Sequence, residues 1–248
     1  MDKCFVTVRS TSTRLKQKCF LKFGKYTLID HIIMRAKKYK LKPIICTSNK
    51  SRDFVFKKIA LKHKINIYFG SENNKLKRWY DCAKNFNIKK FHTIDADDPY
   101  FDDNNIIKSM KMLSKYDIVK PSKNSRQGSA TEGYSFKTNK LQKLLITNNL
   151  FKNNINTEMI DDLINKSRLK LGQLPDSNYI TKKPIRLTLD YIEDYELLNI
   201  LYKIFGSFEK RKNINFFLNK YSSLRKINYF RNKEWKKRQN SIFKRQRG

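Results

Sequence analysis

The chain has 248 residues and a formal net charge of +33, with 55 Lys and Arg against 22 Asp and Glu. Hydrophobic residues make up 39% of the chain and aromatic residues 13%, which excludes wholesale disorder. The length suits one large domain, or one domain with a small addition. No apolar run reaches membrane-spanning length and the start has no signal-peptide pattern, so we expect a cytoplasmic protein that crosses no membrane.

So basic a composition is typical of proteins that bind nucleic acid, anionic membranes or phosphorylated substrates. Here the cations are spread along the chain, and the excess is mostly Lys, accompanied by much Asn, Ile, Phe and Tyr. These residues have A/T-rich codons, so genome composition alone can produce the bias, and nucleic acid is the less favoured ligand. The four cysteines form no CxxC pair, which predicts buried free thiols in a reducing compartment, namely Cys4, Cys19, Cys46 and Cys82.

Short apolar runs alternate with segments of helical periodicity along the chain. In order, the pattern predicts strands at 4–6, 44–46, 65–69, 91–94, 117–119, 133–136 and 185–190, with an extended segment at 167–175. Between them it predicts helices at 27–39, from 54 onward, and at 76–86, 106–113, 140–147 and 193–205. This order predicts an α/β fold with a mostly parallel, Rossmann-like sheet flanked by helices. We expect a main domain over residues 1–205 and a helical, basic C-terminal extension over residues 206–248 that packs on it.

The loop after the first strand carries the cations Arg9, Arg14 and Lys18 among hydroxyl residues that include Ser12 and Thr13. Ligands of parallel sheets bind at loops that leave the carboxyl ends of strands. Backbone N–H groups, hydroxyls and fixed positive charge suit one polyanion, such as a nucleoside triphosphate. The alternative is a solvated basic loop in a very basic protein.

Acidic residues follow another predicted strand, where Asp95, Asp97 and Asp98 precede Pro99, and Asp190 ends the predicted strand at 185–190. Two strand-end carboxylates from distant parts of one sheet are able to clamp a single metal, and Mg²⁺ takes such hard oxygen ligands together with phosphates. The alternatives are an acidic turn that caps the next helix and, for Asp190, a helix N-cap. The three histidines do not pair at ligand spacing and are interpreted as structural (His31, His63 and His92), so covalent catalysis is not expected.

Several of these segments together match a known set of motifs. Residues 9–18 resemble the loop R-x-x-S-T-R-L-P-G-K, Lys25 with Leu28 and Ile29 matches G-K-P-L-I, and residues 70–79 are similar to G-S-E-D-N-V-L-D-R-Y/F. Residues 97–99 match D-x-P, residues 186–194 resemble R-L-T-V-D-T-P-E-D, and residues 227–238 resemble the end of the same proteins. The set resembles the cytidylyltransferase family that makes CMP-activated sugars. The nearest branch is that of spore coat polysaccharide biosynthesis, with CMP-Kdo and CMP-acylneuraminate synthetases as more distant relatives.

The resemblance implies a nucleotide-diphospho-sugar transferase (GT-A-like) fold and Mg²⁺-dependent transfer of CMP from CTP to a sugar, with release of pyrophosphate. The sugar would be acidic, of the Kdo or sialic-acid type, or another surface-polysaccharide sugar. Residue by residue, it implies a triphosphate site (Arg9, Arg14, Lys18, Ser12 and Thr13), a nucleoside site (Thr47, Ser48 and Arg78), Mg²⁺ ligands (Asp97 and Asp190) and an acceptor site (Glu132 and Glu158). A homodimer is compatible with the resemblance.

Two departures from the motifs and three rival functions remain. Lys16-Gln17 replaces Pro-Gly in the first loop, which removes a glycine that lets backbone approach phosphate closely. Tyr191-Ile192 replaces Thr-Pro after the last carboxylate. The rivals are a nucleotidyltransferase that uses another NTP, a glycosyltransferase of the same fold, and a basic protein that binds RNA or a membrane.

Overall fold

The computed structural model describes residues 2–152, 155–157, 160–176 and 185–237. Within these ranges, a seven-stranded sheet has the strand order β5-β4-β1-β6-β8-β7-β9, and a small hairpin pairs β2 with β3. The strands are β1 Lys3–Thr7, β2 Lys22–Phe23, β3 Tyr26–Thr27, β4 Lys42–Ser48, β5 Ile67–Gly70, β6 Lys90–Asp95, β7 Ile118–Lys120, β8 Ser135–Lys137 and β9 Leu171–Gln173. The predicted α/β fold with a mostly parallel sheet is confirmed.

The parallel half of the sheet brings four loops to one edge. Strands β5, β4, β1 and β6 run in the same direction, so their carboxyl ends lie side by side. Thr7 at the end of β1 lies opposite Cys46 of β4 and Asp95 of β6, and Ser48 lies opposite Gly70 of β5. The loops that carry the predicted site residues of the first half of the chain therefore leave from this edge, as ligand loops do in open parallel sheets.

The other half of the sheet is mixed. Strand β8 runs antiparallel to both β6 and β7, while β9 is parallel to β7. The chain therefore reaches β8 through the long loop 121–134, which lies beside the end of β6: Thr93 donates its backbone N–H to the carbonyl of Tyr134 (2.8 Å). The same loop accepts a backbone hydrogen bond from the segment that carries Asp190.

Nine α-helices lie among the residues that the structure describes. They are α1 Leu28–Lys38, α2 Phe56–Lys62, α3 Lys75–Asn85, α4 Asp103–Met112, α5 Thr138–Thr147, α6 Ile160–Asn165, α7 Ile192–Phe205, α8 Arg211–Lys220 and α9 Ser222–Lys226. Helix α1 shows why the sequence pattern worked: Thr27 and Asp30 form a reciprocal capping box, and the apolar residues at helical spacing are buried.

Apolar side chains form a core on each face of the sheet. One cluster joins β1 and β4 to α1 and α7, and the other lies against α3, α5 and α6. Ile214 and Leu218 of α8 are fully buried in the first cluster, so the start of the C-terminal extension packs on the same core as the main body. The boundary between residues 205 and 206 stays a prediction, and residues 238–248 of the extension lie outside the described ranges.

The predicted strand at 185–190 is wrong. This segment belongs to no sheet; the N–H of Leu187 binds the carbonyl of Gly128 (2.9 Å), and the N–H of Leu189 binds the carbonyl of Asp97 (2.8 Å). Its apolar and polar side chains alternate as in a strand, but both sets are buried. The alternating pattern therefore arises because both faces of the segment are buried, and it does not indicate that the segment pairs with a strand.

The four cysteines are buried free thiols, as predicted. The histidines are tied into the structure: His31 binds the carbonyl of Pro99 (2.9 Å), His63 binds Asp30 (2.6 Å), and His92 binds the hydroxyl of Ser135 (2.8 Å). In the described part of the chain, the helices are all too short or too polar to cross a membrane.

Candidate functional site

A cavity of about 490 Å³ opens at the carboxyl edge of the parallel strands. Three segments line it: the loop that follows β1, the loop that leads into α3, and the end of β6. The lining includes Arg9, Ser12, Thr13, Arg14 and Lys18, which are the five residues that the sequence analysis placed at a triphosphate. The structure thus brings the whole predicted triphosphate set to one cavity.

Lys18 joins the two predicted metal ligands. Its Nζ donates to Oδ2 of Asp97 (2.5 Å), to Oδ1 of Asp190 (2.9 Å) and to the carbonyl of Leu189 (2.9 Å). Burial lowers the pKa of Lys18, but the two carboxylates raise it more, so the net pKa lies above the ordinary value and the ammonium stays charged. Arg14 forms a second ion pair with Asp190 and also lines the cavity.

Asp190 is a buried, ionised carboxylate. Burial raises its pKa, but the charges of Lys18 and Arg14 lower it more, so the net pKa lies below the ordinary range. Asp98 differs, because burial, reinforced by the neighbouring charges of Asp97 and Asp95, raises its pKa well above the usual value. Asp97 and Asp190, and not Asp98, are therefore the carboxylates that share a cation at this site.

The residues present fit a divalent metal that shares its ligands with phosphates. Asp97 and Asp190 both reach the same ammonium nitrogen of Lys18, so their oxygens converge on one cation position. Within the described ranges, no three His, Cys, Asp or Glu side chains form a metal cluster by themselves. Mg²⁺ is commonly held by one or two carboxylates plus substrate phosphates and water, and this donor set matches that pattern.

Asp53, which the sequence analysis did not single out, holds the loop after β1 by hydrogen bonds. The backbone N–H and the hydroxyl of Ser10 both donate to Oδ1 of Asp53 (2.7 and 2.6 Å), and the hydroxyl of Ser48 donates to the other oxygen of Asp53. Asp53 is fully buried. Ser48 therefore supports the loop through Asp53.

Thr47 and Ser48 do not line the cavity. Both are fully buried at the end of β4, and Oγ1 of Thr47 has no hydrogen-bond partner among the residues that the structure describes. Arg78 does line the cavity, but its guanidinium donates to the carbonyls of Ser71 (2.6 Å) and Glu72 (3.2 Å), so it shapes the loop before α3. The predicted contacts of these three residues with a nucleoside stay predictions.

Lys75 is a cavity residue to which the sequence analysis gave no role, and it pairs with Asp95 of the acidic cluster. Nζ of Lys75 binds Oδ1 of Asp95 (2.8 Å) and lies 5.1 Å from the ring centre of Trp79. Lys75 stands where the matching motif G-S-E-D-N-V-L-D-R-Y/F has valine. This charge in place of the apolar residue of the motif is the sequence feature that could have identified Lys75 as a candidate site residue.

Glu132, one of the two predicted acceptor residues, does not line the cavity. Glu132 is buried, where its Oε1 accepts from the N–H of Ser122 (2.7 Å) and its Oε2 from the amide of Asn105 (3.3 Å). It supports the loop between β7 and β8. Glu158 lies outside the described residues.

Comparisons with known proteins agree with this fold. An uncharacterized protein of Methanocaldococcus jannaschii is 29% identical over 206 residues, which cover 81% of this chain and 82% of that protein. A cytidylyltransferase structure from Leptospira borgpetersenii has a TM-score of 0.75 at 22% identity, covering 90% of this chain and 95% of that one.

Two further solved structures share the fold. CMP:2-keto-3-deoxy-manno-octonic acid synthetase, in complex with CTP, has a TM-score of 0.60 at 9% identity and covers 82% of this chain and 99% of that one. A protein of Mycobacterium tuberculosis in complex with manganese has a TM-score of 0.53 at 10% identity, covering 80% and 97%. The sequence pattern of the cytidylyltransferase family matches residues 4–227. Because this match spans most of the chain, the protein belongs to the cytidylyltransferase family.

Proposed function

We propose that this protein transfers CMP from CTP to a hydroxyl group of a sugar and releases pyrophosphate, as a Mg²⁺-dependent enzyme of surface-polysaccharide synthesis. One observation carries the proposal: Asp97 and Asp190, 93 positions apart in the sequence, converge on Lys18. Lys18 and Asp97 line the cavity together with the cationic loop, and the buried Asp190 lies behind them against Lys18 and Arg14. A nucleoside triphosphate and a divalent metal together match this arrangement of charges.

The loop after β1 is the proposed triphosphate site. Arg9, Arg14 and Lys18 line the cavity with the hydroxyl residues Ser12 and Thr13. A triphosphate carries more negative charge than the two carboxylates that now hold the side chains of Arg14 and Lys18. We therefore infer that these two side chains turn to the phosphates when CTP binds. Asp97 and Asp190 would then hold Mg²⁺, which when bound neutralises charge on the α-phosphate.

The proposed reaction is an in-line displacement. A sugar hydroxyl attacks the α-phosphorus and releases its proton to solvent, the bond from the α-phosphorus to the bridging oxygen breaks, and pyrophosphate leaves. Arg14 and Lys18 stabilise the charge that grows on the leaving pyrophosphate, and positioning supplies most of the remaining rate enhancement. No covalent intermediate is required, since the described histidines are engaged in structural contacts away from the cavity lining.

The nucleoside and the acceptor would occupy the parts of the cavity beyond the triphosphate loop. Arg78 and Glu72 line the cavity from outside that loop and are the proposed neighbours of the nucleoside. Lys75 offers its ammonium group to the carboxylate of an acidic sugar, which would compete with Asp95 for it. An acidic acceptor is thus supported by one cavity cation that the triphosphate does not need. We also propose a cytoplasmic location and a homodimer, by analogy with the family.

The Asp97→Asn variant tests the reaction directly, because it keeps the side-chain shape and removes the charge. We expect its kcat to fall by about 10² or more, in the range found when one electrostatic contact to a transition state is lost. Asp81→Asn is the matched control, since Asp81 forms a partly exposed ion pair with Lys77 within α3 and is not among the described residues that line the cavity. Near-normal turnover of Asp97→Asn would refute the role of this carboxylate.

The products distinguish the rival functions. An enzyme that prefers another NTP would release pyrophosphate from that nucleotide. A glycosyltransferase would consume a nucleotide sugar and release no pyrophosphate. A nucleic-acid-binding protein would show steeply salt-dependent binding of RNA that Asp97→Asn leaves unchanged.

A further inference from the structure

Asp190 is held in place by side chains and not by a sheet. The segment 185–190 that carries it makes no strand hydrogen bonds, although its position decides where one of the two converging carboxylates lies. The two oxygens of this carboxylate have different partners. Oδ1 accepts from Lys18 (2.9 Å) and Arg14 at the cavity, while Oδ2 accepts from Nη2 of Arg186 (3.3 Å). What fixes Arg186 therefore fixes the orientation of Oδ1 toward the cavity.

Arg186 is fixed by a buried ion pair with Asp194. Nε of Arg186 donates to Oδ1 of Asp194 (2.8 Å) and Nη2 donates to Oδ2 (2.9 Å), and both side chains are completely buried. Oδ2 of Asp194 also accepts the backbone N–H groups of Asp190 (2.9 Å) and Tyr191 (3.0 Å). Asp194 thus orients both the guanidinium that touches Asp190 and the backbone from which Asp190 projects.

The far side of this ion pair is closed by two asparagines of the C-terminal extension. Nδ2 of Asn228 donates to Oδ1 of Asp194 (2.9 Å) and to the carbonyl of Arg186 (3.1 Å). Oδ1 of Asn232 accepts from Nη1 of Arg186 (3.2 Å). Both asparagines are buried, with 1% and 8% of their surface exposed. Hydrogen bonds therefore run without interruption from the C-terminal extension to the carboxylate at the cavity.

A second link ties the same part of the extension to the turn after Asp190. Arg231 forms a bidentate pair with Glu193 (2.9 and 2.6 Å), and its guanidinium lies 4.8 Å from the ring centre of Tyr191. The guanidinium of Arg186 lies 5.4 Å from the same ring. Tyr191 replaces the threonine of the matching motif, so this departure supplies an aromatic surface between two arginines.

We propose that Asn228 and Asn232 are positioning residues of the active site, which act through Arg186 and Asp194 to hold Oδ1 of Asp190 toward the cavity. The inference rests on the proposed function, since it assigns these residues to the binding of metal and triphosphate. It also gives the C-terminal extension a function beyond packing on the core. Loss of such outer partners of metal-binding carboxylates and histidines typically lowers metal affinity or activity 10- to 100-fold.

The extension also provides a matched control. Asn215 of α8 is fully buried, and its Oδ1 accepts from Nε of the buried Arg211 (2.9 Å), as Asn232 accepts from Arg186. Arg211 donates to backbone carbonyls of Tyr100, Ser129 and Ala130, and not to either converging carboxylate. Replacing Asn215 therefore removes a comparable buried hydrogen bond while leaving the chain of contacts to Asp190 intact.

The test compares Asn228→Ala and Asn232→Ala with Asn215→Ala in the full-length protein. Electron paramagnetic resonance would measure the Mn²⁺ concentration that half-saturates each protein in the presence of CTP, and thermal unfolding would measure stability without metal. We expect the half-saturating concentration to rise about tenfold or more in Asn228→Ala and Asn232→Ala, and to stay within about twofold in Asn215→Ala. If Asn228→Ala fails to fold, the more exposed Asn232→Ala still decides the question.

The outcomes separate this inference from the proposed function. If all three variants lose similar stability and bind Mn²⁺ as the wild type does, the asparagines are only structural and the inference is overturned. If the wild-type protein binds neither Mn²⁺ nor CTP, the proposed function itself fails, and the positioning role fails with it. A selective loss of Mn²⁺ affinity in Asn228→Ala and Asn232→Ala supports both.

Discussion

Lys18→Met tests whether Asp97 and Asp190 converge on a position that a divalent metal is able to take. Methionine keeps the length of the side chain and removes the ammonium group that donates to both carboxylates and to the carbonyl of Leu189. The side chains of Lys18, Asp97 and Asp190 are 17%, 24% and 3% exposed, so solvent screens the charges only in part. The variant therefore leaves two carboxylates facing each other with less compensation.

The cost follows from that burial. Removing one partner of a buried ion pair costs about 3–5 kcal/mol. The lower end applies here, because Arg14 still pairs with Asp190 and Asp97 is partly solvated. About 3 kcal/mol corresponds to a fall in Tm of roughly 6–12 °C for a chain of this size. The magnitude is large enough for thermal unfolding to measure after the protein has been treated with EDTA.

Added Mg²⁺ should restore part of this loss. A metal with a Kd of about 1 mM, present at about 10 mM, adds roughly 1.4 kcal/mol to the free energy of unfolding. The wild-type protein should gain less, because Lys18 competes with the metal for the same oxygens. Lys75→Met is the control, since Lys75 forms its ion pair with Asp95 and, among the described residues, with neither converging carboxylate. If Mg²⁺ stabilises Lys18→Met no more than it stabilises the wild type, the reasoning about a shared cation position is refuted.

Three further predictions follow from single residues. Gln17 takes φ 52° where the matching motif has glycine. Gln17→Gly relieves a left-handed strain of about 1–2 kcal/mol, and the greater entropy of the unfolded chain offsets about 0.4–1 kcal/mol of this gain. Urea unfolding should therefore show a variant that is equally or slightly more stable, and a loss of stability above about 1 kcal/mol would contradict this prediction. Burial lowers the pKa of His92 from 6.5 to about 3. Because the unfolded chain binds the extra proton below pH 6.5, the contribution of His92 to the free energy of unfolding is retained above that pH and falls by about 2 kcal/mol by pH 5. A pH series of unfolding measurements on wild type and His92→Gln should therefore show a flatter decline in the variant. Lys75→Val restores the residue of the matching motif. The variant should raise KM for an acidic acceptor about tenfold and change KM for CTP little, because it loses one charged contact of about 1.5 kcal/mol with the acceptor. Initial rates measure both KM values, and equal effects on the two substrates would argue against an acceptor role for Lys75.

The first half of the fold was readable from the sequence because local pattern and tertiary position agree there. Each of the strands β1, β4, β5 and β6 is a short apolar run that ends in polar loop residues, and the helices between them have one apolar face. The loops at the carboxyl edge could then be placed by topology alone. Arg9, Arg14 and Lys18 reach the cavity for that reason.

Other features depend on partners that are distant in sequence. The segment 185–190 alternates like a strand, but its hydrogen bonds go to Gly128 and Asp97 in two loops, which no local pattern reveals. The same dependence on distant partners applies to the C-terminal extension. Its composition gives no indication of a role for Asn228 and Asn232, because their contacts with Arg186 and Asp194 form only when the chain is folded.

The placement of Thr47 and Ser48 shows a finer limit. Both follow a buried strand, as a ligand-binding residue of this fold would, but side chains of a strand alternate between its faces and a loop can begin one residue later. Here β4 extends through Ser48, and the hydroxyl of Ser48 is used to hold Asp53. A resemblance of motifs therefore located the edge of the sheet correctly without deciding which side chains face the cavity.

The most direct test of the central claim is pyrophosphate release from each of the four NTPs, with Mg²⁺, in the presence and absence of a panel of acidic and neutral bacterial sugars. We predict release that requires both CTP and an acidic sugar, with pyrophosphate and CMP-sugar formed in equal amounts. No release from CTP with any of these sugars, combined with tight and salt-sensitive binding of RNA, would contradict the account and assign the positive charge to nucleic acid.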